Sequence, residues 1–435
     1  MKSAITVGGA TNWFVDRNIF SSPDVYKQEL ERIFRRAWLY VGHESQIPKV
    51  GDFFLTKMGE DSMILARDQE GRPRVMLNSC RHRGMKVCRY DEGNTKLFYC
   101  PYHAWSYGLD GRLVGLPAQK ESYDESFDKS KWGLVQVAQV ATFKGTIWAT
   151  WDQNAPPFEE YLGGAADALR VGLGPWDAGD GEVEVISGVQ KWIVPANWKI
   201  VAENCAGDTL HDVSHRSVDL ARIGPGEGVG RRDPFGKLYL THHGEGHGLL
   251  YEKFDHTAPR EHYSASPETA TYFQMTWKKR VERLGERAGN APVLGNIFPS
   301  SGFHVGQPRT IVAAHPRGPN ETELWRVFLV DKAAPPEVKD FLRRYYISYA
   351  GPAGMTEQDD MENWAYATEG CGGAIGSSLQ FHYGAAMGQS HQEPFIPGSV
   401  SDQFWSEQNA RQLYTRWQQF MDAESWDQLR FEDAR

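Results

Sequence analysis

An α+β fold in two parts, a small antiparallel β domain followed by a larger domain of strands and helices, is what three observations predict for this chain. Short β-like runs broken by Gly, Asp and Asn turns fill the chain before residue 156. Beyond that point, strand-like runs alternate with helices of amphipathic spacing. The length of 435 residues suffices for two domains, and 40% hydrophobic residues with 15 Trp supply a sizeable core. The expected boundaries are an N-terminal helical segment over 1–37 packing on the larger domain, the β domain over 38–156, and the larger domain over 157–435.

The elements follow in order. Ser22, Pro23 and Asp24 offer a helix N-cap, a proline at the first helical position and an acid in the first turn. Tyr26, Leu30, Ile33 and Phe34 then recur at helical spacing, which predicts an amphipathic helix over 23–37. Strands are expected from Asp52 to Lys57, Ser62 to Ala66, Arg74 to Leu77, Leu97 to Tyr99 and over 145–151, with Pro156 and Pro157 ending the domain. In the larger domain, TIVAAH (310–315) and NETELWRVFLVDK (320–332) pair across a turn. PPEVKDFLRRYYISY (335–349) and SDQFWSEQNARQLYTRWQQFMDA (401–423) are expected helices, the latter with Phe404, Leu413, Trp417, Phe420 and Met421 on one face. Region 222–236 is glycine-rich, but its glycines miss the GxGxxG spacing and no strand precedes them, so it predicts a loop near a substrate entrance rather than a nucleotide site.

Composition narrows the function. A net charge of −9 gives no reason to expect nucleic-acid or anionic-membrane binding. No run of eighteen apolar residues marks a membrane span, and MKSAITVGGATNWF has no apolar core of a secretory signal. Five cysteines without a CxxC pair suit free thiols in a cytoplasmic, reducing setting.

The chemistry is concentrated in NSCRHRGMKVCRYDEGNTKLFYCPYHAWSYG, where Cys80 and His82 form a C-x-H pair and Cys100 and His103 a C-x2-H pair. Two thiolates and two imidazoles from two loops suit a metal centre, and a loop giving one of each can reach both irons of a [2Fe–2S] cluster with two Cys on one iron and two His on the other. A structural zinc site uses the same four side chains, although zinc motifs more often place like ligands together. Cys88, between the pairs, has no matching His and reads as a packed thiol. The C-x-H, seventeen-residue gap and C-x2-H pattern, with Pro101-Tyr102 before His103 and AWSYGLDGRLVG after Cys100-Pro-Tyr-His, resembles the Rieske domain of non-haem iron oxygenases.

A cluster that only moves electrons needs a place to deliver them, and NWKIVAENCAGDTLHDVSH (197–215) is the candidate. On a continuous helix Asn204, Asp208, His211 and His215 would form one polar stripe, with Gly207 as a possible local loosening. Two His call for a carboxylate to complete a 2-His-1-carboxylate iron triad, and with 56 Asp and Glu the spacing alone leaves that carboxylate open. With GPAGMTEQDDMENW (351–364) included, nearly the whole chain resembles the large (alpha) subunit of Rieske aromatic ring-hydroxylating dioxygenases, in which the second Asp of such a pair, here Asp360, is the ligand. Two departures stand out: three residues separate the His where naphthalene-type enzymes have four, and Asp212 and Thr356 occupy positions often apolar or aromatic in hydrocarbon enzymes.

The resemblance implies a helix-grip second domain, an antiparallel sheet wrapped by helices, and a mononuclear Fe(II) on His211, His215 and Asp360. It implies head-to-tail homotrimers or α3β3 assemblies with a small beta subunit. Asp208 would bridge His103 of the partner subunit and His211, with Asn204 a non-ligating neighbour of the iron. It further implies that both atoms of O2 are added to an aromatic ring to give a cis-dihydrodiol. Electrons would come from NAD(P)H through a separate reductase or ferredoxin, since no Rossmann or flavin motif is present. The substrate would be an aromatic hydrocarbon or an aromatic carboxylate, the latter met by Arg309 or Arg326. The alternatives are a Rieske monooxygenase or demethylase of an aromatic acid and, in another class, an iron–sulfur electron carrier or a zinc-stabilised binding protein.

Overall fold

The computed structural model describes residues 3–8, 11–124, 126–224, 238–258, 262–401, 403 and 405–429. It divides into two compact units, 34–155 on one side and 1–33 with 156–435 on the other.

The smaller unit is built from three antiparallel sheets. Pro73–Leu77, Asp61–Arg67, Asp52–Met58 and Glu92–Asn94 lie side by side in that order. Gln139–Phe143, Thr146–Thr150 and Leu39–His43 form a second sheet, and Leu113–Gly115, Ser106–Tyr107 and Phe98–Tyr99 a third. All five strands expected here are present. Leu39–His43, Glu92–Asn94 and Gln139–Phe143 were not expected. Alternate side chains of the larger sheet, among them Phe53, Ile64 and Met76, share one apolar cluster with Cys80, Cys88, Cys100, Trp105 and Tyr107. Cys88 is thus a core thiol, its backbone held on both sides by the Asn78 amide.

In the larger unit a nine-stranded antiparallel sheet carries the fold. Val183–Val194, Thr322–Asp331, Thr310–Pro316, Ser301–His304 and Asn290–Ile297 succeed one another across it, followed by Gly248–Lys253, Leu238–His242, Ile396–Ser401 and His391–Glu393. The expected pairing of 310–315 with 320–332 is present as a hairpin next to the Val183–Val194 edge strand, with Val312 opposite Arg326. Helix Pro336–Tyr349 presses Val338, Leu342 and Tyr346 onto Phe328 and Val330 of the sheet. Burying such side chains is worth about 1.5–3 kcal/mol each.

Two helical expectations need trimming. Ser22 caps Pro23–Glu29, its hydroxyl accepting from the Val25 N–H at 3.3 Å, but the α-helix then widens into a π turn over Leu30–Phe34 and stops short of 37, where the chain heads into Leu39–His43. The C-terminal helix is Gln408–Asp422, since Ser401 still belongs to a strand; it buries Leu413, Trp417, Phe420 and Met421. Phe404 and most of the glycine-rich stretch 222–236 lie outside the described residues. No described helix is long and apolar enough to cross a membrane.

Candidate metal centres

The two ligand loops of the smaller unit close in the same way. The Cys80 N–H donates to Met85 O, and Gly84 N–H returns a bond to Cys80 O, both at 2.8 Å. In the second loop Cys100 N–H donates to Trp105 O at 2.8 Å and Ala104 N–H to Cys100 O at 3.0 Å. Both turns need a left-handed residue four positions after the Cys, which Gly84 (φ 72°) supplies without cost and Ala104 (φ 60°) adopts with strain. Matching loops present matching ligands, one Cys and one His each.

The sulfurs point inward and the imidazoles outward. Cys80 and Cys100 are 3% and 1% exposed, whereas His82 and His103 are partly open, their ring centroids 4.6 Å apart. Burial pushes the Cys100 thiol up, and the neighbouring Cys80 sulfur adds to it. A thiol pair of that kind favours a bound cation over two free thiolates. The Tyr107 hydroxyl contacts Cys80 Sγ at 3.1 Å and accepts from the Arg81 N–H at 3.1 Å, so it holds the first loop from behind. The His82 ring stacks on Trp105, 5.0 Å away and 6° from parallel, and its buried Nδ1 has no partner among the described residues. Such a nitrogen fits a metal ligand. One tetrahedral zinc ion, with bonds of ~2.0–2.3 Å, would need all four donors close together. Here they do not bring three donor atoms within 4.8 Å of one another, as donors shared between two irons need not. An open cleft of ≈ 530 Å³ beside the two imidazoles is lined by Tyr99, Tyr102, Trp105, Pro117 and Tyr123.

In the larger unit the expected continuous helix is interrupted. Trp198–Cys205 is α-helical, Leu210–His215 is a 3-10 turn, and Gly207 between them has φ 110°. That backbone is closed to most side chains, and a Cβ there would meet Asn409 and Leu240 at 3.2 and 3.3 Å. The polar stripe is therefore corrected: Asn204 ends on the helix, while Asp208, His211 and His215 sit beyond the break. Beyond the break, His211 and His215 meet Nε2 to Nε2 at 3.2 Å.

Asp360, from helix Met355–Glu369, completes the group. Its Oδ1 lies 3.4 Å from His211 Nε2 and 3.2 Å from His215 Nε2, and is buried with no hydrogen-bond partner among the described residues. Among the described residues these three are the one group whose ligand atoms all lie within 4.8 Å of one another. Burial alone would lower the His211 imidazole, but the carboxylates of Asp208 and Asp360 outweigh it and raise it to about 9. Three acceptors converging on a negative pocket fit a divalent cation, and a 2-His-1-carboxylate set fits ferrous iron.

Behind the triad stand two more carboxylates. Asp208 Oδ2 is 3.5 Å from His211 Nδ1, and its Oδ1 accepts from the Leu210 N–H at 3.0 Å. Burial would raise Asp208, yet its bond to His211 holds it below the usual carboxylate range. Asp359 faces His215 Nδ1 at 3.4 Å and was missed by sequence reasoning, although it is half of the DD pair that led to Asp360. Asn204 lies on the helix before the break. The Thr356 hydroxyl is taken up by Tyr349 O at 2.6 Å, and both candidate arginines are buried in ion pairs, Arg309 with Asp331 and Arg326 with Glu357.

The comparisons with known proteins divide the chain at the same place. A Rieske [2Fe-2S] domain matches residues 37–144, and the catalytic domain of the ring-hydroxylating alpha subunit matches 158–423. Benzene 1,2-dioxygenase subunit alpha of Pseudomonas putida is 37% identical over 96% of this chain and 93% of its own length. Biphenyl 2,3-dioxygenase subunit alpha of Rhodococcus jostii is 38% identical over 95% and 90%. A solved naphthalene 1,2-dioxygenase with indole in its active site superposes with a TM-score of 0.86 at 28% identity, covering 96% of this chain and 94% of that one. With matches of this length and level, the chain belongs to the alpha subunits of Rieske non-haem iron aromatic ring-hydroxylating dioxygenases, which carry a [2Fe–2S] cluster and a mononuclear iron.

Proposed function

We propose that this chain is the terminal oxygenase that adds both atoms of O2 to one face of an aromatic hydrocarbon ring, giving a cis-dihydrodiol. The observation that carries this reading is the convergence of His211, His215 and Asp360 in a chain that also gathers Cys80, Cys100, His82 and His103. Cys80, Cys100, His82 and His103 would hold the cluster, and His211, His215 and Asp360 the ferrous ion. When bound, these groups supply electrons and O2 activation.

The side chains do the rest. Asp360 would give a bound ferrous ion its anionic donor, and His211 and His215 would give it two nitrogen donors. The imidazoles of His82 and His103 put the electron entry at the surface, beside an aromatic cleft suited to a ferredoxin or a reductase fed by NAD(P)H. Asp208, with 31% of its side chain exposed, is placed to accept from His211 on one side and from His103 of the partner subunit on the other, as a homotrimer or an α3β3 assembly with a beta subunit would arrange. Hydrogen bonds of that kind link two metal centres through one carboxylate. A cytoplasmic setting suits five cysteines that are all thiols.

For the substrate, the fates of Arg309 and Arg326 favour a hydrocarbon over a carboxylate, because each guanidinium is already neutralised by a buried acid. The relatives act, by their names, on benzene and biphenyl. The test is turnover of benzene, biphenyl, naphthalene and phthalate by the reconstituted oxygenase, with products identified by mass. A cis-diol carrying two labelled atoms from one 18O2 is expected. Phenols or aldehydes with a single labelled atom would make it a monooxygenase instead. Asp208→Asn is expected to retain both metals and lose about 10–100-fold or more in product formation; normal coupling would remove the bridge.

A further inference from the structure

The pair Asp359-Asp360 grips a single imidazole by both of its nitrogens. Asp360 Oδ1 lies 3.2 Å from His215 Nε2 and Asp359 Oδ2 lies 3.4 Å from His215 Nδ1. Successive residues on a helix point about 100° apart, so two consecutive acids can straddle one ring edge to edge. Asp359 is itself fixed: the Ser217 hydroxyl donates to the same Oδ2 at 2.6 Å, from helix Arg216–Ala221 directly after the His215 turn. The other iron-side imidazole is backed in a similar way, by Asp208, whose Oδ2 lies 3.5 Å from His211 Nδ1 while its Oδ1 accepts from the Leu210 N–H.

We infer that Asp359, held by Ser217, is the positioning residue that fixes the His215 tautomer and aims its Nε2 into the triad. This rests on the ligand assignment proposed above. A ring that donates Nδ1–H to a carboxylate must present the Nε2 lone pair to a metal, and the negative partner strengthens that lone pair as a donor. Ser217 keeps Asp359 from swinging toward solvent, where its side chain is 22% exposed. The DD pair thus divides its labour, one carboxylate toward the metal and one toward the imidazole behind it. The 3.4 Å separation is at the long end of the hydrogen-bond range.

The experiment uses the assembled, iron-loaded enzyme. Asp359→Ala is expected to lose ferrous iron to a chelator 10–100-fold faster than native protein. It is also expected to change the shape of the electron paramagnetic resonance signal of the ferrous nitrosyl complex, with the visible absorption of the cluster unchanged. Asp359→Asn, which can still accept from Nδ1–H but carries no charge, should lie between the two. Ser217→Ala removes one hydrogen bond without emptying the site, and should shift both readouts in the same direction even if Asp359→Ala does not fold. Native iron retention and an unaltered nitrosyl signal in Ser217→Ala and Asp359→Asn would overturn the positioning role alone. A native enzyme that binds no ferrous ion, or that still binds it after Asp360→Ala, would overturn the ligand assignment and this inference with it.

Discussion

In the unit 34–155, the four proposed donors arise within residues 80–103 from two loops that fold alike, each loop closed by its own backbone hydrogen bonds and braced by Tyr107 and Trp105 close by in sequence. In the larger unit, the three proposed donors come from a broken helix and from a second helix about 150 residues further on; His211 is backed by Asp208 of its own turn and His215 by Asp359 of the distant helix. The first centre is local and nearly self-contained. The second depends on the whole sheet-and-helix scaffold being in place. Local centres tolerate change outside their loops, whereas a scaffold-dependent one is sensitive to helix caps, breaks and buried charges far from the metal.

The largest effect expected from this contrast is at Asp360. Asp360→Ala should abolish turnover by at least ~100-fold and deplete the mononuclear iron, while the cluster keeps its red-brown absorption. Loss of the cluster absorption together with the mononuclear iron would show that the two centres are not independently assembled. His82→Cys addresses the other side. It should leave iron at the triad and lower the cluster midpoint by on the order of 100 mV or more, because thiolate ligation stabilises the oxidised state relative to imidazole. An unchanged midpoint would mean that His82 is not a ligand.

What the sequence made legible follows the same division. Cys80, His82, Cys100 and His103 carry their meaning in their spacing, because a local centre writes its geometry into one stretch of chain. Asp360 was proposed as a ligand only through family resemblance, since no spacing connects it to His211; the fold brings it beside His211 and His215. The helix break at Gly207 was half visible, a glycine inside a helical pattern, but its φ of 110° and the closeness of Asn409 and Leu240, far along the chain, are not written in the local sequence. Asp359 stood next to the expected ligand, yet its role needs the position of Ser217, which periodicity does not give. Arg309 and Arg326 could be found as arginines on strands. That each is buried against an acid follows only from tertiary packing.

Gly207 sharpens the comparison at an intermediate scale. Gly207→Ala places a Cβ at a backbone angle that L residues rarely adopt and against two packed neighbours. A cost of about 1–3 kcal/mol is expected, with faster iron loss but an unaltered cluster spectrum. The matching change in the local centre, Gly84→Ala, meets only Ser79 Oγ at 3.9 Å and should strain the backbone without a packing clash. If thermal unfolding shows both variants equally destabilised, the scaffold argument for the second centre loses its support.

The smallest effect concerns Glu203, one turn before the break. Burial raises its carboxyl to about 8, against the pull of the Tyr414 and Tyr383 hydroxyls that donate to its Oε2, and the nearby Asp208 charge adds to the rise. The folded protein therefore keeps this proton in a range where the unfolded chain, with an ordinary carboxyl near 4.5, has lost it. Proton binding greater in the folded state means that stability falls as pH rises between those two values and levels off above the higher one. Glu203→Gln has nothing to ionise, and its amide oxygen can still accept from both tyrosines. Its stability relative to native protein should therefore improve by on the order of 1–3 kcal/mol as pH rises from about 5 to about 9. The check is a pair of denaturant titrations at the two pH values. A difference independent of pH would mean that Glu203 ionises normally. The helix ahead of the iron ligands would then be anchored by a charged carboxylate rather than by a neutral acid between two phenols.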